Sequence, residues 1–561
     1  MVTDELATIV RDAVASACAD GTLPSDCMDA AIEIETPRNK QFGDFATNVA
    51  LALARTVGMS SREVAERLVA HMPLEGTPVA SAEIAGPGFI NFRLRTDWLH
   101  DAMVAVEERA DQYGHNTSMA GKRILLEFVS ANPTGPISVV NGRAAALGDS
   151  LRRLFTACGA EVSTEFYVND ALNSTQIDLL GASLAARYMQ EFGRAEAVPT
   201  DGYQGEYLIE MARDIAAEVG PVYCDLSPEE RSQVFRKLAA ERMIAQQRED
   251  LAAFGVEFDR WFFESSLYES GEVAAAIEQM KQAGWAYERD GALWLKSTEL
   301  AGDGQDRVLV RSNERETYVA ADAAYHKNKF DRGFTHLVNI WGADHHGYVA
   351  RLKAGIAALG YDPDRCTIIL TQMVLLMRGG ELVRGSKRAG DIVPLADLVD
   401  EIGRDAARYY CLLTSYETTA SFDLETAKRQ SNDNPVYYAQ YAHARCAAVL
   451  RRAEEAGVPL RRASEVDRSL LAHPKELELL RTLAAFPREV RQAAEAMAPH
   501  RLTAYVRVIG QALHQYYEEC PALKEGVSPD LRDSRLALFE TTRTVVANLL
   551  GLLGVSAPER M

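Results

Sequence analysis

The sequence predicts a multidomain chain of α/β plus all-α class. A central sheet wound with helices has a small α/β domain ahead of it and a helical domain behind it. Three observations predict this. Residues 124–170 read ILLEFVSANPTGPISVVNGRAAALGDSLRRLFTACGAEVSTEFYVND: a buried strand, a Pro/Gly-rich turn, an Ala-rich helix and a second strand, which is one β-α-β unit. Residues 1–115 mix helical and strand-like patterns over a length suited to a small domain of their own. From Asp391 to the end, Leu, Ala and Val recur at helical spacing.

Taken in order, the N-terminal region predicts a helix over 1–18, a loop at 38–44, helices over 46–57 and 61–70, and a strand pair at 83–94. The Gly-Pro-Gly turn and alternating apolar residues of AGPGFINFRL carry the hairpin. Residues 112–121 read as a polar linker and 122–185 as the β-α-β unit. Residues 186–300 are mainly helical with a charged centre, as expected of an insertion between the halves of a sheet. Strands are expected at 292–295, 307–310, 336–341 and 366–370, with a helix over 349–359. The domains are accordingly 1–115, 122–390 with the insertion at about 186–300, a connecting stem at 391–430, and a helical domain at 431–561.

Composition narrows the function classes. Among 561 residues, 47% are apolar, enough for several cores. No apolar run is long enough to cross a bilayer, and MVTDELATIVRDAV is an amphipathic helix with early acids, not a leader. The 8 cysteines stand singly without metal spacing, so reduced structural thiols in the cytoplasm are expected. The net charge of −20 is unevenly spread: residues 431–561 hold 17 Lys+Arg, 15 of them Arg, against 16 Asp+Glu. A near-neutral, arginine-rich last quarter suits either local RNA contacts or an ordinary helical domain, so charge alone does not decide.

The turn between strand and helix at 132–136 is where a sheet of this kind binds ligands, with phosphates at the helix N-terminus. Glu127 ends the strand and Asn132 opens the turn; Tyr318 and Asp322 sit in ETYVAADAAYH, a passage into a helix. Paired carboxylates suit a planar guanidinium, and by themselves they also read as plain strand-end and helix-start acids. NIWGADHHGY at 339–348 places Asp344 and His345 after a strand, with no third residue spaced for a metal. ELVRGSKRAGD at 381–391 is a cationic, Gly-bearing loop in which Arg384, Lys387 and Arg388 surround Ser386 and can clamp a polyphosphate.

These stretches resemble the class I aminoacyl-tRNA synthetases, and more narrowly the bacterial arginyl-tRNA synthetases, from about residue 38 to 561. The resemblance implies a Rossmann-like class I catalytic domain, an N-terminal tRNA-contacting domain and a C-terminal helical anticodon-binding domain. It implies that Glu127, Asn132, Tyr318, Asp322 and Asp344 line an arginine pocket, and that Pro133, Gly135, Gly142, His345, Arg384 and Lys387 hold ATP. It places Phe42 and Asp44, in RNKQFGDFATNVA, and Tyr438, Tyr441, Arg445 and the last residue Met561 against tRNA. Aromatic side chains with Arg suit splayed bases, though at helical spacing they also suit a core. The implied substrates are arginine, its tRNA and ATP, with Mg²⁺ arriving on ATP, and bound tRNA is needed for the first step. A cytoplasmic monomer without membrane contact is expected.

The chain departs from the family at one place. The first signature's Leu-His-Val-Gly-His-Gly-Arg is matched here by Ile137-Ser138-Val139-Val140-Asn141-Gly142-Arg143, so Ser138 and Asn141 stand where two histidines are usual. The second signature keeps Ser386 and Lys387, with Arg384 and Gly385 replacing Lys and Met. Ser138, Asn141, Ser386 and Lys387 are then the expected catalytic set, Ser and Asn serving as neutral donors. A non-catalytic tRNA-binding paralogue is the alternative reading.

Overall fold

The computed structural model describes residues 2–37, 39–170, 175–383 and 393–561. The first domain folds on its own core. Helices Val2–Ala19, Val49–Val57 and Ser61–Ala70 pack on an antiparallel sheet of β1 (Phe45–Thr47), β2 (Val79–Ala85) and β3 (Phe89–Leu94), in the order β1-β3-β2. Leu6, Val10, Val64, Leu68, Ile90 and Phe92 fill its centre. The next helix, Asp97–Arg109, falls within the expected 1–115 unit but does not share that core. Its Leu99, Met103 and Val106 join the main cluster instead, beside the C-terminal helices.

The central sheet is five-stranded and parallel throughout. It comprises β4 (Arg123–Glu127), β5 (Glu161–Val168) and β6 (Arg260–Phe263), then β10 (His336–Gly342) and β11 (Cys366–Thr371), in the order β11-β10-β4-β5-β6. Between β6 and β10 lies a small antiparallel sheet of β7 (Ala286–Arg289), β8 (Ala292–Leu295) and β9 (Arg307–Val310). From β4 the chain winds first toward β6 and returns on the other side as β10. The crevice between the carboxyl ends of β4 and β10 is therefore the topological switch point, and Glu127 pairs with Asn339 there. Strand β10 is buried over Leu337–Ile340, which accounts for its continuous apolar run.

Two corrections to the expected elements follow. The all-helical insertion is Thr175–Glu191, Glu206–Val219 and Pro228–Ala253, after which Arg260–Phe263 returns to the sheet as β6. A four-residue edge strand is too short to show a period, so local pattern does not separate it from the helical insertion. Likewise the region beyond Asp391 is not purely helical: Ala420–Asp423 forms β14, parallel to β12 (Val374–Arg378), which also pairs with β13 (Glu381–Leu382). No helix among the described residues is long and apolar enough to cross a membrane.

The insertion braces the ligand turn. Helix Pro228–Ala253 starts on a Ser227/Glu230 capping box with Pro228 in its first turn. Near its end, buried Gln247 donates to the carbonyls of Asn132 at 3.1 Å and Gly135 at 2.9 Å. Asp250 accepts from the Ile137 N–H at 3.4 Å, and the Tyr207 hydroxyl donates to the Thr134 carbonyl at 2.8 Å. The turn's backbone is thereby satisfied from outside the sheet.

Helix Val139–Ala157 crosses the sheet at close range because Gly148 lets it sit on Phe128, whose ring lies tilted against Phe258 with centroids 4.5 Å apart. A Cβ at Gly148 would lie 2.3 Å from the Phe128 ring. Gly148→Ala is expected to destabilise by about 1–3 kcal/mol through overpacking, read as a lowered thermal midpoint.

Candidate active site

Strand β4 ends in a strained turn. Val129 and Ser130 adopt φ of 69° and 39°, left-handed values that a β-branched residue rarely holds. The turn brings the Ser130 hydroxyl to Glu127 Oε1 at 3.1 Å, where Ser130 Oγ also accepts from the Tyr167 N–H at 3.2 Å. The other Glu127 oxygen takes Lys329 Nζ at 2.5 Å. Both side chains are buried, so Glu127 is neutralised from within the protein.

A chain of hydrogen bonds continues from that ion pair. Lys329 donates to Asn339 Oδ1 at 3.3 Å, Asn339 Nδ2 donates to His326 Nε2 at 2.7 Å, and His326 Nδ1 donates to the Asp322 carbonyl at 2.7 Å. Burial, with the nearby Lys329 charge, holds His326 well below its ordinary pKa, so it is a neutral member of this chain. Tyr318, Asp322, His326 and Lys329 recur along one face of helix Tyr318–Asp331. That spacing is the signal that could have revealed Lys329 and His326 in the sequence; neither was singled out.

Asp322 differs from Glu127. Its Oδ2 accepts from the Tyr348 hydroxyl at 2.5 Å, and it has no cationic partner among the described residues. Burial pushes its carboxyl up to about 6; the Tyr348 hydrogen bond opposes this, the Glu127 charge adds to it, and the weaker Lys329 charge lowers it. One turn earlier Tyr318 is 63% exposed, an aromatic ring held at the mouth. A carboxylate beneath an exposed aromatic ring, at the switch point of a parallel sheet, can receive a cation.

The remaining predicted residues lie around this crevice in different states. Asn132 donates to Gln176 at 2.8 Å, while Pro133 and Gly135 are buried in the braced turn. Ser138 and Asn141 meet each other. Ser138 Oγ accepts from the Asn141 N–H at 3.3 Å, and Asn141 Oδ1 accepts from the Ser138 N–H at 3.3 Å and from its hydroxyl at 2.6 Å. Together they form a capping box on helix Val139–Ala157. Gly142, in that first turn, is packed by Leu395, whose Cδ1 would lie 2.6 Å from a Cβ. Backbone bonds from Leu395 N to Ile137 O at 2.7 Å and from Val139 N to Val393 O at 3.2 Å tie this turn to the start of helix Leu395–Ile402. Asp344 and His345 are exposed on a 3₁₀ turn and lie 3.6 Å apart. Arg384, Ser386 and Lys387 lie outside the described residues.

The candidate RNA-contacting residues form two further places. Tyr438, Tyr441 and Arg445 line a cavity of about 460 Å³; Arg445 stacks over Tyr517 at 4.2 Å and meets His514 at 3.0 Å. Met561 lines a neighbouring cavity of about 690 Å³ with Arg404, Lys428, Arg429 and Arg560. Phe42 is 53% exposed, while Asp44 is occupied: it accepts from the Leu94 N–H at 2.9 Å and faces Arg481 at 3.7 Å.

Comparison with known proteins agrees with this architecture. Family models match as arginyl tRNA synthetase N terminal domain over residues 4–94, tRNA synthetases class I (R) catalytic domain over 104–412, and DALR anticodon binding domain over 439–561. The arginine–tRNA ligase of Moorella thermoacetica is 48% identical over 556 residues, covering 99% of this chain and 98% of the relative. That of Desulforudis audaxviator is 46% identical over 553 residues, covering 98% and 97%. Among solved structures, the arginyl-tRNA synthetase of Thermus thermophilus superposes with a TM-score of 0.75 at 22% identity over 100% of both chains, a likeness of fold.

Proposed function

We infer the reaction from one premise: the chain belongs to the arginyl-tRNA synthetase family. It attaches arginine to its cognate tRNA at the expense of ATP. An oxygen of the arginine carboxylate attacks the ATP α-phosphorus in line, and pyrophosphate leaves with the bonding electrons. A terminal ribose hydroxyl of tRNA then attacks the carbonyl of the adenylate, loses its proton and displaces AMP. Such transfers need positioning and charge stabilisation more than covalent help from the protein.

The observation that carries the pocket reading is Asp322, a carboxylate that makes no ion pair among the described residues, one helical turn from the exposed Tyr318. In this reading Asp322 and Tyr318 receive the guanidinium, Glu127 with Lys329 sets the field behind them, and Asn132 and Asp344 border the amino acid. ATP lies along Pro133, Gly135, Gly142 and His345, with Mg²⁺ on its phosphates and Arg384, Ser386 and Lys387 closing on the pyrophosphate. Ser138 and Asn141 act on the nucleotide through the helix end they fix. The cavity at Tyr438, Tyr441 and Arg445, the place of Met561, and the Phe42–Asp44 loop take the tRNA. A monomer working in the cytoplasm completes the reading.

ATP–pyrophosphate exchange with each amino acid, with and without total tRNA, tests it. Exchange is expected with arginine alone and only when tRNA is present. Tight tRNA binding with no exchange for any amino acid would replace the enzyme by a binding paralogue. In the same assay Ser138→Ala is expected to cost about 1 kcal/mol of stability as a lost cap and to slow exchange less than about tenfold. A loss of about 10²-fold or more would put the hydroxyl directly on the phosphates, the size expected of an oxyanion donor.

A further inference from the structure

The helical insertion holds the turn at residues 132–137 through Gln176, Tyr207, Gln247 and Asp250. Gln247 is the centre of this grip. Its amide nitrogen donates to the carbonyls of Asn132 and Gly135, which stand on either side of Pro133-Thr134. Two carbonyl acceptors on one nitrogen fix which way the amide points. Its Oε1 is then buried with no hydrogen-bond partner among the described residues, and the whole residue is 1% exposed. A buried acceptor without a donor costs stability, so the gain from this amide is the shape of the turn.

That shape matters for an anion. The Asn132 carbonyl takes the Thr134 N–H at 2.7 Å as well as Gln247, and the Thr134 carbonyl takes Tyr207. The carbonyls of Asn132, Thr134 and Gly135 are thus all turned onto donors, and none of the three is left to face a phosphate at the start of helix Val139–Ala157. A carbonyl dipole aimed at a phosphate repels it, whereas the helix N-terminus attracts it. Ser138 and Asn141 stand where the family has two histidines, and they spend their side chains on each other. Placing the phosphates therefore falls to the backbone of this turn. Gln247 is itself rigidly carried. Phe235, Ala239 and Met243 of helix Pro228–Ala253 pack in the insertion's own core with Leu180 and Leu184, and Leu251 joins the main core. Gln247 lies where the helix passes from one core to the other. Gly181 lets helix Thr175–Glu191 rest on the Arg236 backbone, where a Cβ would lie 2.6 Å from the Arg236 Cα.

We propose that Gln247 is a positioning residue for adenylate formation: by clamping Asn132 to Gly135 from the insertion, it sets where the ATP α-phosphate lies. The proposal rests on the ATP-dependent reading above and deepens it. Gln247 acts on the nucleotide through the turn and touches neither Asp322 nor Tyr318, so its loss falls on ATP and on the chemical step and spares arginine. A displacement of about 1 Å in such a site costs up to about 10²-fold in rate.

The test is ATP–pyrophosphate exchange by the full chain with tRNA. Gln247→Met keeps the unbranched shape and removes both hydrogen bonds. It is expected to lower kcat about 10- to 100-fold and to raise the ATP KM, with the arginine KM and tRNA affinity within about threefold. The thermal midpoint is expected to stay within about 3 °C. Gln247→Glu separates donation from packing. Its carboxylate donates nothing, and its protonated form restores one of the two bonds, so exchange relative to the unmodified chain is expected to climb as pH falls from about 8 to about 6. An unchanged kcat and ATP KM in Gln247→Met would overturn the proposal. So would losses shared equally by ATP and arginine together with a large drop in midpoint, which would make Gln247 a packing residue. If Gln247→Met does not fold, Tyr207→Phe removes only the hydroxyl on the Thr134 carbonyl. A selective loss of about fivefold on the ATP side then supports the proposal, and an unchanged ATP side overturns it. Failure of the unmodified chain to exchange with arginine at all would instead sink the underlying reading.

Discussion

Replacing Asp322 by Asn is expected to raise the arginine KM by about 10²-fold or more, with little change in the ATP KM or in tRNA affinity. The size follows from truncating one partner of a buried, charge-assisted contact, about 2–5 kcal/mol. Asn keeps the side-chain volume and can still accept from the Tyr348 hydroxyl, so the helix Tyr318–Asp331 has no reason to move. The pH dependence separates charge from shape. Asp322 titrates near 6 in the empty site, above its ordinary value, because burial disfavours the ion. For folding of the empty protein the sign is therefore reversed from the usual carboxylate. The folded state holds the extra proton between about 4 and 6, and stability from this group is lost as pH rises through about 6. Arginine restores it by pairing with the ion. Steady-state kinetics from pH 5 to 8 should show the wild-type KM rising below pH 6 and the Asn variant lacking that limb. A variant with wild-type KM across this range would remove Asp322 from the pocket.

The second large effect is on stability, at the joint between the sheet and the C-terminal domain. Asp149, on helix Val139–Ala157, is buried and receives Arg152, Arg153 and Arg408 at 2.8, 2.8 and 2.5 Å. Burial pushes its carboxyl up, but the Arg408 and Arg153 charges more than offset this and hold it below the usual range. Arg408 is fully buried and also donates to the carbonyls of Phe254 at 3.2 Å, Gly255 at 3.2 Å and Leu553 at 3.3 Å. One guanidinium thus joins the catalytic helix, the end of the insertion and the end of helix Pro529–Leu552. Arg408→Met is expected to destabilise by about 3–5 kcal/mol, because it strips three carbonyls and part of a buried carboxylate of their partner. In a multidomain chain the measurement is the apparent thermal midpoint and the appearance of a separate transition, not a single two-state free energy. Gly554 explains how closely this joint is packed: its φ is +68°, and a Cβ there would lie 2.1 Å from Arg408 Nη2. A midpoint unchanged in Arg408→Met would show that the two remaining arginines suffice.

Much of the architecture was readable from local pattern. The β-α-β unit at 122–185, the hairpin at AGPGFINFRL and the strand over 336–341 each show their period within a dozen residues, and side-chain alternation depends only on the backbone. The aromatic–Arg face of helix Pro435–Glu455 was equally legible as a pattern, and it lines a cavity. Four-residue β6 and β14 were not, because too few residues repeat.

The site divides in the same way. The sequence by itself determined the family, the turn at Asn132–Pro136, and a helix carrying Tyr318 and Asp322 on one face, since motifs and helical spacing are properties of neighbouring residues. Only the tertiary structure decided which acids are already spent. Glu127 meets Lys329 across 202 positions, Tyr325 and Arg332 claim Glu165 across 160 and 167, and one Glu264 oxygen has no hydrogen-bond partner among the described residues. It also decided that Ser138 and Asn141 close on each other, and that Arg408 spans Asp149 and the chain's end. Pairing and desolvation depend on which distant segments are packed together, and that is information no local spacing contains.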